Sequence, residues 1–373
     1  MKVFRCDHCM NLVFFENFQC VHCGHQLAYL PDLNVIGSLD PAGSRLWTSP
    51  IPRAETREYR LCENFTAHNT CNWAVPAAED ASRCLSCRLT SLIPDLAIPG
   101  HREAWYKLEV AKRRMVYTLA ALGLPLVNKT VDPVRGLSFE FKADPTAEEK
   151  AAGVEPVMTG HADGVITINI AEADEVEREK RRIQMHEPYR TLLGHFRHEV
   201  GHYYWDLLIR DDEPRLAAFR ERFGDERADY SESLNKHYRD GPAADWQDRF
   251  VTTYATAHPW EDWAETWAHY LHISDTLEMA VDSGLTLKPR EKDRPQLKAS
   301  SLPRKVKGSP FEQLVESWLP LTYVLNNLNR GLGLPDAYPF VLSDPAIHKL
   351  KFVHETIAAG ETLASTIRYR APR

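Results

Sequence analysis

All eight cysteines of this 373-residue chain fall before residue 88, and no other part of it can use a thiol. Cys6-x2-Cys9 and Cys20-x2-Cys23 are two close pairs. Each pair can close a tight turn that presents two sulfurs, and a short hairpin brings four thiolates round one tetrahedral zinc. Cys62, Cys71, Cys84 and Cys87 form a second, less regular quartet in which only the last pair has knuckle spacing. It predicts a second structural zinc, the alternative being reduced core thiols or a mixed arrangement of the eight. The count of structural zincs is thus one or two. His8, His22 and His25 lie nearby, but four cysteines already complete a site, so they are expected to be bystanders.

Disulfides would need an oxidising compartment. The start, Met1-Lys2-Val3-Phe4-Arg5, runs straight into the first cysteine motif rather than into an apolar signal core, and no apolar run is long enough to span a bilayer. Reduced, metal-bound cysteines in a cytoplasmic protein are therefore expected. A loop-rich region this small has little core, so metal binding must supply much of its folding free energy.

Charge narrows the partners. The chain has 45 basic and 52 acidic residues, a net charge of -7, and the cysteine region is itself close to balance before its thiolates are counted. That argues against a surface built to grip phosphates or an anionic membrane. The ribbon is expected to dock a protein partner, or to support the rest of the chain, rather than to bind nucleic acid.

Two prolines and a glycine punctuate residues 94–100, a linker that divides a zinc-ribbon domain, 1–95, from a second domain, 101–373. Trp105, Leu108, Ala111, Met115, Leu119 and Leu122 recur at helical steps until Gly123 and Pro125. Strand-like alternation follows at 137–141 and 164–170, then helical periodicity resumes through Leu192, Phe196, Val200, Tyr203 and Leu207. The remainder is mostly helical, with a Pro/Lys/Arg-rich segment at 288–310 expected to be an exposed loop. The fold class is α+β: a cysteine-rich ribbon, then a mainly helical domain with a small sheet.

The chemistry centres on His198-Glu199-Val200-Gly201-His202. Histidines four apart share a helix face and can ligate one ion. Glu199 falls beside that ion, where a carboxylate can take a proton from an activated water. Gly201 carries no side chain to crowd an approaching element. His195, one turn earlier, reads as a surface or packing residue. A catalytic site needs a third protein ligand and an open fourth position, and no third histidine follows closely, since Trp205 and Leu208 stand there. The run from His258 to His272 supplies the candidate. Pro259 suits a first helical position, and Glu261, Glu265, His269 and His272 share one stripe while Trp263, Trp267, Tyr270 and Leu271 pack elsewhere. Glu261 is the expected third ligand, with Glu265 orienting a ligating histidine. The reverse assignment is the internal alternative.

His198-Glu-Val-Gly-His202 followed by Glu261-Asp-Trp-Ala-Glu265 resembles the zincin metallopeptidases that complete their zinc with a glutamate (gluzincin type), among them the anthrax lethal factor protease. That resemblance implies a peptide or protein substrate, one catalytic zinc on His198, His202 and Glu261, and Glu199 as general base. It also implies a transition-state role for the tyrosine seven residues before the glutamate, here Tyr254, whose phenol can donate to an oxyanion. The whole architecture is similar to a bacterial family of zinc-binding metallopeptidases carrying an N-terminal zinc ribbon. By the same resemblance, the strand 164–170 would be a sheet edge able to hold an extended peptide. Two other classes remain: a zinc-ribbon adaptor for protein or nucleic acid, and an inactive relative that binds peptides without cutting them.

Overall fold

The computed structural model describes residues 1–184, 191–287 and 302–370. Most of the expected 288–310 loop lies outside them. Contacts gather into two compact units, one of Lys2–Tyr117 with Leu126–Glu175, the other of Met1, Thr118–Pro125 and Val176–Arg373.

The first unit opens with a two-stranded ribbon, β1 (Phe4–Arg5) and β2 (Leu12–Val13). A five-stranded sheet follows in the order β3 (Gln26–Leu30), β4 (Val35–Gly43), β5 (Leu46–Thr48), β6 (Tyr59–Leu61) and β7 (Ala74–Pro76), every neighbour antiparallel. Its core is Ala28, Leu30, Leu33, Leu39, Ala54, Tyr59 and Ala74, with Trp47, Ile51 and Leu61 packed alongside. A short helix, α1 (Glu63–His68), separates β6 from β7.

A second sheet is ordered β10 (Gly160–Ala162), β11 (Val165–Asn169), β9 (Ser138–Lys142), β8 (Thr90–Leu92). β8 pairs in parallel with β9, and β9 with β11, whereas β10 turns back antiparallel onto β11. Strand 165–169 thus has partners on both sides, which corrects the expected edge: among the described strands the edges are β10 and β8, because the tight turn at Asp163 and Gly164, both with positive φ, folds the chain back along β11. Because β8 comes from before the linker and β9 from after it, this sheet joins the two sides of residues 94–100. Helix α2 (His101–Leu122) has the bounds read from its periodicity. Its Lys112 and Glu109, both fully buried, pair at 2.8 Å, and the Lys112 ammonium lies 5.6 Å from the rings of Phe139 and Phe141. A five-residue helix, α3 (Ala147–Ala151), precedes β10.

The second unit is helical: α4 (Glu175–Gln184, which begins one residue before it), α5 (Leu192–Leu208), α6 (Glu213–Phe223), α7 (Tyr230–Asp240), α8 (Pro259–Asp282), α9 (Phe311–Gly331) and α10 (Asp344–Arg370). Among the described residues no helix is long and apolar enough to cross a membrane. Helix α8 is the axis against which α5, α6, α9 and α10 pack. Its start follows from sequence: His258 caps it by accepting from Trp260 N–H at 3.1 Å, Pro259 follows, and Glu261 and Asp262 place negative charge in the first turn.

Asp262 points away from Glu261 and meets Lys349 of α10 at 2.6 Å, the lysine also donating to Arg249 O at 2.9 Å. Burial pushes the Asp262 carboxyl up to about 7 against the pull of that lysine. Breaking such a pair leaves an uncompensated buried charge. Lys349→Met is expected to destabilise the protein by about 3 kcal/mol in denaturant unfolding, with Asp262→Leu in the same chain recovering most of it. The sign in pH follows. An acid held above its unfolded pKa favours the fold while protonated; variant and wild type lose that stability alike until the wild-type acid ionises beside Lys349, so the single variant's deficit must widen as pH rises through about 7.

Candidate metal centres and active site

The two cysteine quartets are tested by their own dimensions. Cys6 and Cys23 sulfurs lie 3.7 Å apart, Cys9 and Cys20 3.6 Å, and Cys71 and Cys84 3.7 Å, with no disulfide among them. A tetrahedral zinc with Zn–S near 2.3 Å sets its sulfurs about 3.8 Å apart, so both quartets fit the ion. In the first, backbone N–H groups, Cys23's foremost, draw the Cys20 thiol down to about 6, favouring thiolate. In the second, N–H groups of Trp73, Cys84 and Cys87 point at the sulfurs of Cys71, Cys62 and Cys84. The buried Arg113 guanidinium donates to Thr70 O at 2.6 Å and feels the charge of Cys71, Cys87 and Cys84. The eight-residue spacer between Cys62 and Cys71 is filled by α1, closed by Asn69 at φ 54°, which returns the chain to the same site.

Two of the three histidines set aside above come together. His8 and His25 stack at 3.6 Å between ring centroids, and His25 Nδ1 lies 3.6 Å from Cys23 Sγ. With Cys23 they form a further cluster of possible ligand atoms.

Helix α5, capped by Thr191 Oγ1 accepting from Gly194 N–H at 3.0 Å, carries His198, Glu199 and His202. It crosses α8 at Gly201. A Cβ there would meet Ala264 Cα at 3.1 Å and Trp267 Cβ at 3.2 Å, and Trp263 Nε1–H donates to Gly201 O at 2.8 Å. The crossing brings His198 Nε2 to 2.9 Å from Glu261 Oε2, His202 Nε2 to 3.5 Å from the same oxygen, and the two Nε2 atoms to 3.3 Å. An ion bound at 2.0–2.1 Å sets tetrahedral N and O ligands about 3.3 Å apart, so this trio also fits zinc.

Glu265, one turn along α8, accepts from His198 Nδ1–H at 2.7 Å, and its other oxygen accepts from Thr252 Oγ1–H at 2.7 Å. Glu261 and Glu265 therefore sit on opposite nitrogens of one imidazole. Burial opposes charge on His198, but the two carboxylates outweigh it and raise its pKa well above the ordinary value. Burial likewise opposes charge on Glu261 and is outweighed by the histidines, which hold its carboxyl far down.

Tyr254 lies on a single 3-10 turn, its ring 5.8 Å from that of His198. Burial first, then Glu261 and other neighbours including Glu199, push its phenol well above 10. Glu199 is half-buried. His269 and His272 leave the metal cluster: His269 Nδ1 meets Tyr338 Oη at 2.6 Å, and His272 Nδ1 faces the Arg197 guanidinium at 2.5 Å.

The sequence reading missed Tyr230, whose hydroxyl donates to Glu261 Oε1 at 2.7 Å, and Trp260, whose ring packs 4.1 Å from that of His202. Trp260 was legible, next to Glu261 in a tryptophan-rich first turn. Tyr230 carried no signal, opening a polar helix that buries none of its residues.

This constellation has relatives. A family described as "Putative zinc-binding metallo-peptidase" matches residues 101–356, and a zinc-ribbon domain matches residues 3–98. The chain belongs to that metallopeptidase family. Uncharacterized proteins from Mycobacterium bovis and from two strains of Mycobacterium tuberculosis are each 40% identical to it over 357 residues, spanning 96% of this chain and 95% of theirs. No solved structure matches.

Two outcomes test the centre. Gly201→Ala should force α5 and α8 apart by a few tenths of an ångström, costing about 1–3 kcal/mol in unfolding and weakening metal uptake at the histidines. A proton raised onto His198 must also leave when metal enters. With the cysteine sites kept loaded, calorimetric zinc titrations in buffers of different ionisation enthalpy should show release of about one proton near neutral pH, and occupancy should fall as pH is lowered.

Proposed function

We propose that this chain is a zinc-dependent peptidase acting on peptide or protein substrates in the cytoplasm, its catalytic ion held by His198, His202 and Glu261. The observation that carries the reading is the convergence of those ligand atoms at tetrahedral spacings, on two helices whose crossing is locked by Gly201 and Trp263. Three ligands leave a fourth position open, whereas each cysteine quartet is closed and structural. The trio would supply one catalytic zinc beside two structural ones. Zinc in such a site supplies Lewis acidity and makes water a nucleophile near neutral pH.

The residues then divide the work. Glu199 follows the first histidine and accepts the proton of the attacking water; it returns that proton to the amine nitrogen as the C–N bond breaks. Glu265 fixes His198 with Nδ1 protonated and Nε2 turned inward. Tyr254 keeps its phenol protonated across the neutral range and donates to the carbonyl oxygen as negative charge gathers there, the role implied by its place seven residues before Glu261. The ribbon supports this unit or docks a protein; Leu12, Phe14 and Val21 beside its first zinc site stand exposed at 75, 79 and 89%.

Glu199→Gln preserves the metal ligands and removes the base. In cells expressing this variant, peptides present with the wild-type protein should disappear and one or more intact proteins accumulate, turnover falling by about 10²–10⁴-fold. Identical peptide profiles for the two proteins would overturn the peptidase reading.

A further inference from the structure

Tyr230 holds an unusual place. Helix α7 buries none of its eleven residues, yet its first side chain reaches into the metal cradle. The start of the helix is fixed twice. Asp229 caps it, accepting from Glu232 N–H at 2.7 Å, and His258 Nε2–H donates to Ala228 O at 3.1 Å, tying the preceding turn to the cap of α8. The Tyr230 ring lies edge-on to His258 at 5.3 Å and to Trp260 at 6.1 Å. The phenol is thus aimed by its neighbours as well as by its own helix.

Its target is specific. Glu261 turns Oε2 towards both histidine Nε2 atoms and presents Oε1 to the tyrosine hydroxyl. A carboxylate free at both oxygens can swing to bind an ion through the pair, filling the position a reacting water needs. A hydrogen bond to the second oxygen holds the group turned so that the first oxygen faces the ion. We infer that Tyr230 is a positioning residue which restricts Glu261 to single-oxygen ligation and so keeps the fourth coordination position open. This rests on the proposed metal site, and acts through Glu261 rather than on substrate.

The test reads the metal. In the full chain, with the cysteine sites kept in zinc, the His198–His202–Glu261 site is emptied by a mild chelator and refilled with cobalt(II), whose visible absorption distinguishes four ligands from five. The wild type should show the strong bands of a four-coordinate ion. Tyr230→Phe should weaken them towards the five-coordinate pattern and lower cobalt affinity by about 10–100-fold, as loss of a partner to a metal ligand does. Without the metal it should still unfold cooperatively, at a melting temperature lowered by a few degrees because the buried Glu261 Oε1 loses its hydrogen bond. Tyr238→Phe, on the same helix, should leave spectrum and affinity unchanged. A wild-type spectrum and affinity in Tyr230→Phe would overturn the inference and leave the metal site standing. Failure of the wild type to take up cobalt in a manner abolished by His198→Ala would overturn both.

Discussion

The close crossing of α5 and α8 at Gly201 is the contact on which the candidate site depends. With Ala264 Cα and Trp267 Cβ barely beyond 3 Å from the space a Cβ would fill, the two backbones lie nearer than side chains ordinarily permit. Trp267 is fully buried and stacks on Tyr204 at 4.9 Å, while Trp263 ties its indole to the Gly201 carbonyl. Large rings on both sides of a missing side chain fix the separation and rotation of the helices together. Ligands on such elements are held more tightly than ligands on loops, which is what a site tolerant of only fractions of an ångström requires.

That rigidity makes the electrostatics possible. Two acids one helical turn apart, Glu261 and Glu265, bracket His198, and a third, Asp262, stands between them in sequence. Three carboxylates crowded in one low-dielectric region would repel one another, so the helix sorts them. Residues 261 and 265 share a face and meet the imidazole; residue 262 turns about 100° away and meets Lys349. The helix N-terminus adds a favourable field for the two acids in its first turn. On α5, Arg197 pairs with Asp275 farther along α8. Glu261 and Glu265 thus face His198, Asp262 faces Lys349 and Asp275 faces Arg197, so that each acid has a basic partner.

How much of this could be read from sequence follows from the range of each interaction. The bounds of α2 and the Pro259 start of α8 were legible because they rest on local periodicity, and Glu261 and Glu265 stood out by their four-residue spacing on one helix face, whereas that spacing leaves open which of them meets which nitrogen of His198. The cysteine quartets were legible because so few residues bind zinc through sulfur. The order of the second sheet was not. Whether 165–169 lies at an edge depends on which strands from 90–92 and 160–162 pair beside it, and alternation within a strand is silent about its neighbours. Tyr230 was hidden for a related reason: its partner is thirty-one residues away on another helix, and no spacing rule links them.

On the proposed reading, the same chain would handle two kinds of zinc chemistry by choice of ligand. Four thiolates round a dication leave a net negative, coordinatively closed centre, suited to tying loops together. The second quartet sits beside the buried Arg113, a counter-charge that a structural site can use and that would be wasted at a reacting one. Two neutral imidazoles and one carboxylate round the same dication would leave the opposite balance: one net positive charge, an open position, and acids at hand to move protons. The cysteines and the His198–Glu261 cluster are therefore not interchangeable ways of holding an ion. Only the second arrangement leaves both the charge and the vacant position that hydrolysis of a peptide bond demands.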